Sequence, residues 1–193
     1  MRAGPEPGRE ASPDAVLVAR YAAGDQSAAR ALTARHAPRV YALARRMLAD
    51  TAEAEDVTQE AMLRLWRAAP AWEDRAAVGT WLYRVASNLC IDRLRKRRPL
   101  SAEPVPDVAD ETPSAFSRLA DGDRAAALGR ALDGLPERQR LAIVLRHFEN
   151  RSNPEIAVVL DLSVEAVESL LARGRRALAA ALLGRRAELG FSE

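Results

Sequence analysis

The side chains best suited to chemistry in this chain are the guanidinium and amide groups crowded into residues 80–98, TWLYRVASNLCIDRLRKRR. Arg84, Arg93, Arg95, Lys96, Arg97 and Arg98 stand against Asp92 alone, a local charge of +5 on nineteen residues. Such a field draws polyanions. Other reactive groups are few. Cys90 is the single cysteine, and His36 and His147 are the only histidines. An internal disulfide is therefore excluded, neither a zinc site nor a cofactor is expected, and no His, Cys or carboxylate cluster has catalytic spacing.

The elements that must carry these groups read as helices throughout. At about 100° per residue, Trp81, Leu82, Val85, Ala86, Leu89 and Cys90 fill one apolar arc of the basic helix, with Leu94 at its edge. Arg84, Ser87, Asn88, Arg95 and Arg98 fall on the other side, with Tyr83 at the border. Trp81, inside the arc, reads as core. Thr80 is the expected cap, and residues 70–79 the loop feeding the helix.

Upstream, residues 1–13 form a Pro- and Gly-rich leader expected to be disordered. Asp14 is expected to cap a short helix that Gly24 ends, and Asp25 the next, which runs towards Leu48 and should kink or split at Pro38. Ala28, Leu32, Val40, Leu43, Met47 and Leu48 make its apolar stripe, and Arg35, Arg39, Arg45 and Arg46 read as solvent-facing. A third helix, about residues 52–69, places acids in its first turns, where the helix dipole favours them. Along its exposed side Asp56, Gln59, Glu60, Leu63 and Arg64 recur at spacings of three and four, an acidic and amide strip with one apolar member.

Composition changes at Pro99. Residues 99–123 carry four prolines and six acids against Arg118, an extended acidic linker between two helical domains. Shorter helices follow, over about residues 124–132, from Pro136, and through PEIAVVLDL. Ser152 and Glu155 have capping-box spacing. A long last helix runs from Val164 towards Leu189, with Ser163 as its cap. The turn at residues 161–163, between two short apolar patterns, fits a helix-turn-helix whose second helix can enter a major groove. The longest unbroken apolar run, residues 177–183, is far below the roughly 20 residues that span a bilayer, so no membrane insertion and a cytoplasmic location are expected. A net charge of +2 means that affinity for nucleic acid must come from where charge sits, not from its total.

The order AEDVTQEAMLRLWRAAPAW, TWLYRVASNLCIDRLRKRR, an acidic linker, LPERQRLAIVLRHFE and PEIAVVLDLSVEAVESLLARGRRAL resembles the extracytoplasmic-function (ECF, group IV) sigma factors of the sigma-70 family over roughly residues 14–186. The resemblance implies an all-α protein of two small domains. Region 2, residues 14–98, would bind core RNA polymerase and the promoter minus-10 element; region 4, residues 124–189, would read the minus-35 element with its helix-turn-helix. It implies that Asp56, Gln59, Glu60 and Arg64 face polymerase. Tyr83, Arg84, Asn88, Arg95, Lys96 and Arg98 would hold minus-10 DNA, and the loop before them would shape a pocket for an unstacked base. Arg146, Ser163, Glu168, Ser169, Arg173 and Arg176 would meet minus-35 DNA. The acidic linker would follow the RNA exit path, although solubility explains its composition equally. An anti-sigma factor is an expected partner.

The chain departs from the family at three places. Glu168 and Leu170 stand where relatives usually carry basic residues, and residues 149–152, ENRS, replace a glycine-led turn. Glu168 either accepts a hydrogen bond from a cytosine amino group, or the domain docks at a different angle, or its minus-35 contribution is weak. The competing reading is a stand-alone helix-turn-helix regulator, which leaves the first-half strip and the basic helix unexplained.

Overall fold

The computed structural model describes residues 12–73, 77–97 and 119–183, with side chains of residues 119–125 excepted. The leader other than its last two residues, Arg98, most of the linker and residues 184–189 lie outside the described residues.

Local chemistry sets the helix starts. Helix α1, Pro13–Ala22, is capped by Ser12, whose hydroxyl accepts from the Ala15 amide at 3.2 Å. Asp14 is not the cap: in the first turn, it instead ion-pairs with Arg35 and sits 2.9 Å from His36 Nε2. Helix α2, Gln26–Leu48, is capped by Asp25, which accepts from the Ser27 amide and is braced by Arg20 at 2.7 Å. These bonds hold the Asp25 carboxyl well below the usual range. Pro38 neither ends nor divides α2, which stays helical through it. Helix α3, Thr51–Ala68, is capped by Asp50 and passes into a single 3₁₀ turn, Ala69–Ala71.

Helix α4, Val78–Arg97, starts two residues ahead of Thr80, so Thr80 lies in its first turn. Helix α5, Leu119–Asp133, begins within the segment read as linker. Helices α6, Glu137–His147, α7, Asn153–Leu160, and α8, Val164–Leu183, complete the described chain. The capping box of α7 is present in both directions: Ser152 Oγ accepts from the Glu155 amide, and Glu155 accepts from the Ser152 amide at 2.8 Å. Asp161 takes a left-handed conformation, φ 55°, to stop α7, and Ser163 caps α8 by accepting from the Ala166 amide.

Helices α1 to α4 form one group and α5 to α8 another, and they share one continuous apolar core. The stripe read on α2 is buried in full, with His36 filling the gap between Leu32 and Val40. On α3, Ala54, Val57, Ala61, Met62 and Leu65 are buried, and Trp66 lies half-buried against Tyr21, ring centroids 4.7 Å apart. In the second group α8 crosses close over α6 because Gly174 has no side chain; a Cβ there would lie 2.9 Å from Ile143 Cγ1.

The second group packs on α4 and on the end of α2. The buried arc of α4 is consequently wider than its apolar pattern: Tyr83, Ser87 and Ile91 are buried besides Leu82, Ala86 and Cys90. Burial pushes the Cys90 thiol up to about 12. Trp81 is part-buried, edge-on to Trp72 at 5.6 Å.

Candidate nucleic-acid and partner interfaces

Helix α4 divides its cations between scaffold and surface. Arg93 donates to the Glu53 carbonyl at 2.6 Å, and Arg97 donates to the Leu48 carbonyl at 3.0 Å and pairs with Glu53 at 2.8 Å. Both tie the end of α4 to the start of α3, and Arg97 caps a terminal carbonyl of α2. Arg84, Asn88, Arg95 and Lys96 stay exposed along the remaining side. The basic field of residues 80–98 thus does two jobs. Two of its six cations close the bundle, three line the outer face, and Arg98 lies outside the described residues.

Tyr83 is not on that face. It is 3% exposed, with its ring beneath the Arg151 guanidinium at 4.7 Å and its hydroxyl donating to Glu149 at 2.7 Å. Burial, and then the adjacent carboxylate, raise its pKa above the usual phenol value. Tyr83 and Ser87, which periodicity placed at the border and on the polar side, are covered because a second helical group lies there. A helical wheel has no means of registering such a contact. Arg84, half-exposed, lies 3.6 Å from Asp161 in the helix-turn-helix turn.

On α3, Gln59 and Leu63 open into a groove of about 710 Å³ between α2 and α3, completed by Ala37, Tyr41, Met62 and Trp66. Leu63 is 39% exposed at its edge. Glu60 and Arg64 pair beside each other at 2.8 Å, which lowers the Glu60 pKa. Asp56 sits apart from the groove, in a polar depression with Glu53, Arg93, Lys96 and Arg97. The α3 strip therefore bridges an apolar groove and the cationic end of α4. Sequence reading missed the α2 wall of the groove; the signal was a second stripe, Ala34, Ala37, Pro38 and Tyr41, beside the main one.

The helix-turn-helix exposes Glu168, Ser169, Arg173 and Arg176 on α8. Arg173 donates to Ser169 Oγ at 3.1 Å, and Glu168 accepts from Asn153 Nδ2 at 3.5 Å. Arg146, on α6, donates to the Arg151 carbonyl at 3.0 Å and so buttresses the turn. Ser163 is exposed at the start of α8, its hydroxyl serving the cap. No group of three or more His, Cys, Asp or Glu among the described residues is placed to hold a metal ion.

Comparison with known proteins decides the family. Family models for sigma-70 region 2 and sigma-70 region 4 match residues 32–99 and 125–178. The ECF RNA polymerase sigma factor SigM of Mycobacterium tuberculosis is 37% identical over 172 residues, 89% of this chain and 86% of SigM. This chain is an ECF member of the sigma-70 family.

SigW of Bacillus subtilis, also an ECF RNA polymerase sigma factor, is 33% identical over 80% of this sigma factor and 89% of its own length. The solved structure of CnrH in complex with the cytosolic domain of CnrY matches with a TM-score of 0.69 at 30% identity, covering 89% of this chain and 97% of CnrH. RpoE of Bartonella quintana, solved with the anti-sigma factor NepR, shares the fold at a TM-score of 0.59 and 21% identity over 79% of this chain and 95% of its own. Among the described residues, no helix of this sigma factor is long and apolar enough to cross a membrane.

Proposed function

We propose that this sigma factor docks on core RNA polymerase through the α2–α3 groove and the Asp56, Gln59, Glu60 and Arg64 strip, and directs the enzyme to promoters. In this reading region 2 spans residues 14–98 and holds minus-10 DNA, including its opened strand, with Tyr83, Arg84, Asn88, Arg95, Lys96 and Arg98. Region 4 spans residues 124–189 and meets minus-35 duplex with Arg146, Ser163, Glu168, Ser169, Arg173 and Arg176, while residues 99–123 connect them. The protein is a group IV factor of the cytoplasm with no catalytic chemistry of its own, and an anti-sigma protein restrains it.

One observation carries the reading: neighbouring helices of one bundle offer an apolar groove fit for a partner helix, on α2 and α3, and a row of cations with one carboxamide, on α4. A regulator that bound duplex DNA alone would need neither. Held in place by polymerase, two weak readers act as one bivalent ligand, so the small net charge of +2 is no obstacle.

The test separates the two surfaces. Asn88→Ala should lower promoter opening by about tenfold or more, the order expected for losing a base-edge hydrogen bond, and leave polymerase affinity unchanged. Glu60→Arg should weaken polymerase binding and spare DNA contacts made by holoenzyme assembled at saturation. Both are read by in-vitro transcription and core-polymerase binding with purified components. Equal loss of both activities in both variants would refute the assignment.

A further inference from the structure

We propose that Glu149 is a latch by which the second helical group closes over part of the first and covers Tyr83, the one described residue of the proposed strand-reading set on α4 that is buried. Its carboxylate is 7% exposed, and both of its partners come from the other group. Arg46, on α2, reaches it at 3.2 Å, and the Tyr83 hydroxyl donates to it at 2.7 Å. Arg46, which reads on sequence as solvent-facing, is committed to this contact.

Neighbouring contacts extend the same seam. The Arg46 guanidinium lies 4.7 Å over the Phe148 ring, and Arg151 lies 4.7 Å over Tyr83. Arg140 of α6 donates to the Arg46 carbonyl at 3.0 Å, and Arg84 meets Asp161 at the rim. Asn150 adopts φ 55°, a left-handed conformation that Asn tolerates better than most residues. Glu149, the first residue of the Glu-Asn-Arg-Ser departure, faces region 2.

The seam has the character of a contact made to be broken. Alongside its apolar contribution it relies on one buried carboxylate, Glu149, against a part-exposed Arg46, so that desolvation offsets much of the attraction, and on the exposed Arg84–Asp161 pair, of a kind worth little. It also buries the Ser87 hydroxyl with no hydrogen-bond partner among the described residues, a cost that opening relieves. Interfaces of this mixed kind between domains favour relative motion. While the seam is shut Tyr83 is buried, whereas Gln59 and Leu63 at the polymerase-facing groove stay exposed.

That closure hides a DNA-reading residue rests on the proposed function; that Glu149 holds the halves together does not. Small-angle scattering of the full chain, with no partner present, should give a compact particle for the wild type. Glu149→Ala should give an expanded one with unchanged helix content by circular dichroism. The exchanged pair Arg46→Glu with Glu149→Arg should return it towards the compact value. In parallel, a fluorescent single-stranded DNA of twelve random nucleotides should bind Glu149→Ala about tenfold tighter than wild type, the factor expected when a contact of ordinary charge-assisted strength no longer competes. Equal dimensions for wild type and Glu149→Ala, or a wild type already extended, would overturn the latch. Expansion without tighter strand binding would uphold the latch and overturn the strand-reading role of Tyr83.

Discussion

His36 shows how a single polar residue can be mistaken for surface decoration or for a ligand. It occupies a core position of α2, 5% exposed, with Nε2 against Asp14 and its ring 3.5 Å from where a Cβ on Gly79 would stand. Burial lowers its pKa, a shift that Asp14 partly opposes. The unfolded chain takes up a proton near the usual histidine value of about 6.5, whereas the folded chain does so only at lower pH. Folding stability should therefore fall on acidification through that window, at no more than about 1.4 kcal/mol per pH unit from this group. Urea denaturation of wild type and His36→Gln at about pH 7.5 and about pH 5.5 checks this; the acid-induced loss should be smaller in the variant. A larger loss in the variant would mean that folding favours the protonated imidazole, the reverse of what its burial implies. The same region shows what residue types alone could convey. Asn88 and Arg95 lie exposed, as their spacing implied, and Lys96 beside them, while Arg93 and Arg97 proved to be structural because their carbonyl and carboxylate partners sit on other helices.

At the scale of elements, periodicity and capping chemistry carried most of the information. The stripes of α2 and α3, the Asp25 cap and the Ser152 to Glu155 capping box are local, and local rules recovered them. Two local expectations gave way to competing local facts, and one half of a third. Ser12 caps α1 because Pro13 suits a first helical position; α4 begins at Val78, ahead of Thr80; and Pro38 does not split α2. Helix crossings lie beyond such rules, and Gly174 is the instructive case. In isolation, Gly174→Ala should favour helix by about 1 kcal/mol. Against Ile143 the new methyl would meet Cγ1 at 2.9 Å and Cδ1 at 3.3 Å. Overpacking of this kind costs about 1–3 kcal/mol, so the variant should be less stable overall and its α8 displaced. A lowered midpoint in chemical denaturation is the expected result, with Ile143→Val in the same chain recovering part of it.

The whole molecule differs from the sum of its two readings in one respect: the halves are not separate. Their cores join across α4, a feature invisible in sequence because Tyr83 and Ser87 look like surface positions and Glu149, Arg140 and Arg46 look like ordinary solvated charges. Family resemblance named the parts and their order, yet it did not place one part upon the other. A shared core implies shared cooperativity. Calorimetry of the isolated wild type should give one transition, with calorimetric and van't Hoff enthalpies in agreement, and Glu149→Ala should broaden or divide it. The Cys90 thiol, sealed in that core and held up to about 12, brings a practical corollary. Because thiolate is the reactive form, maleimide dyes should ignore it in the native protein. Cysteines introduced at exposed sites on α3 and α8 would then carry a fluorophore pair without first removing the natural thiol, and the hinge between reader and reader could be watched one molecule at a time.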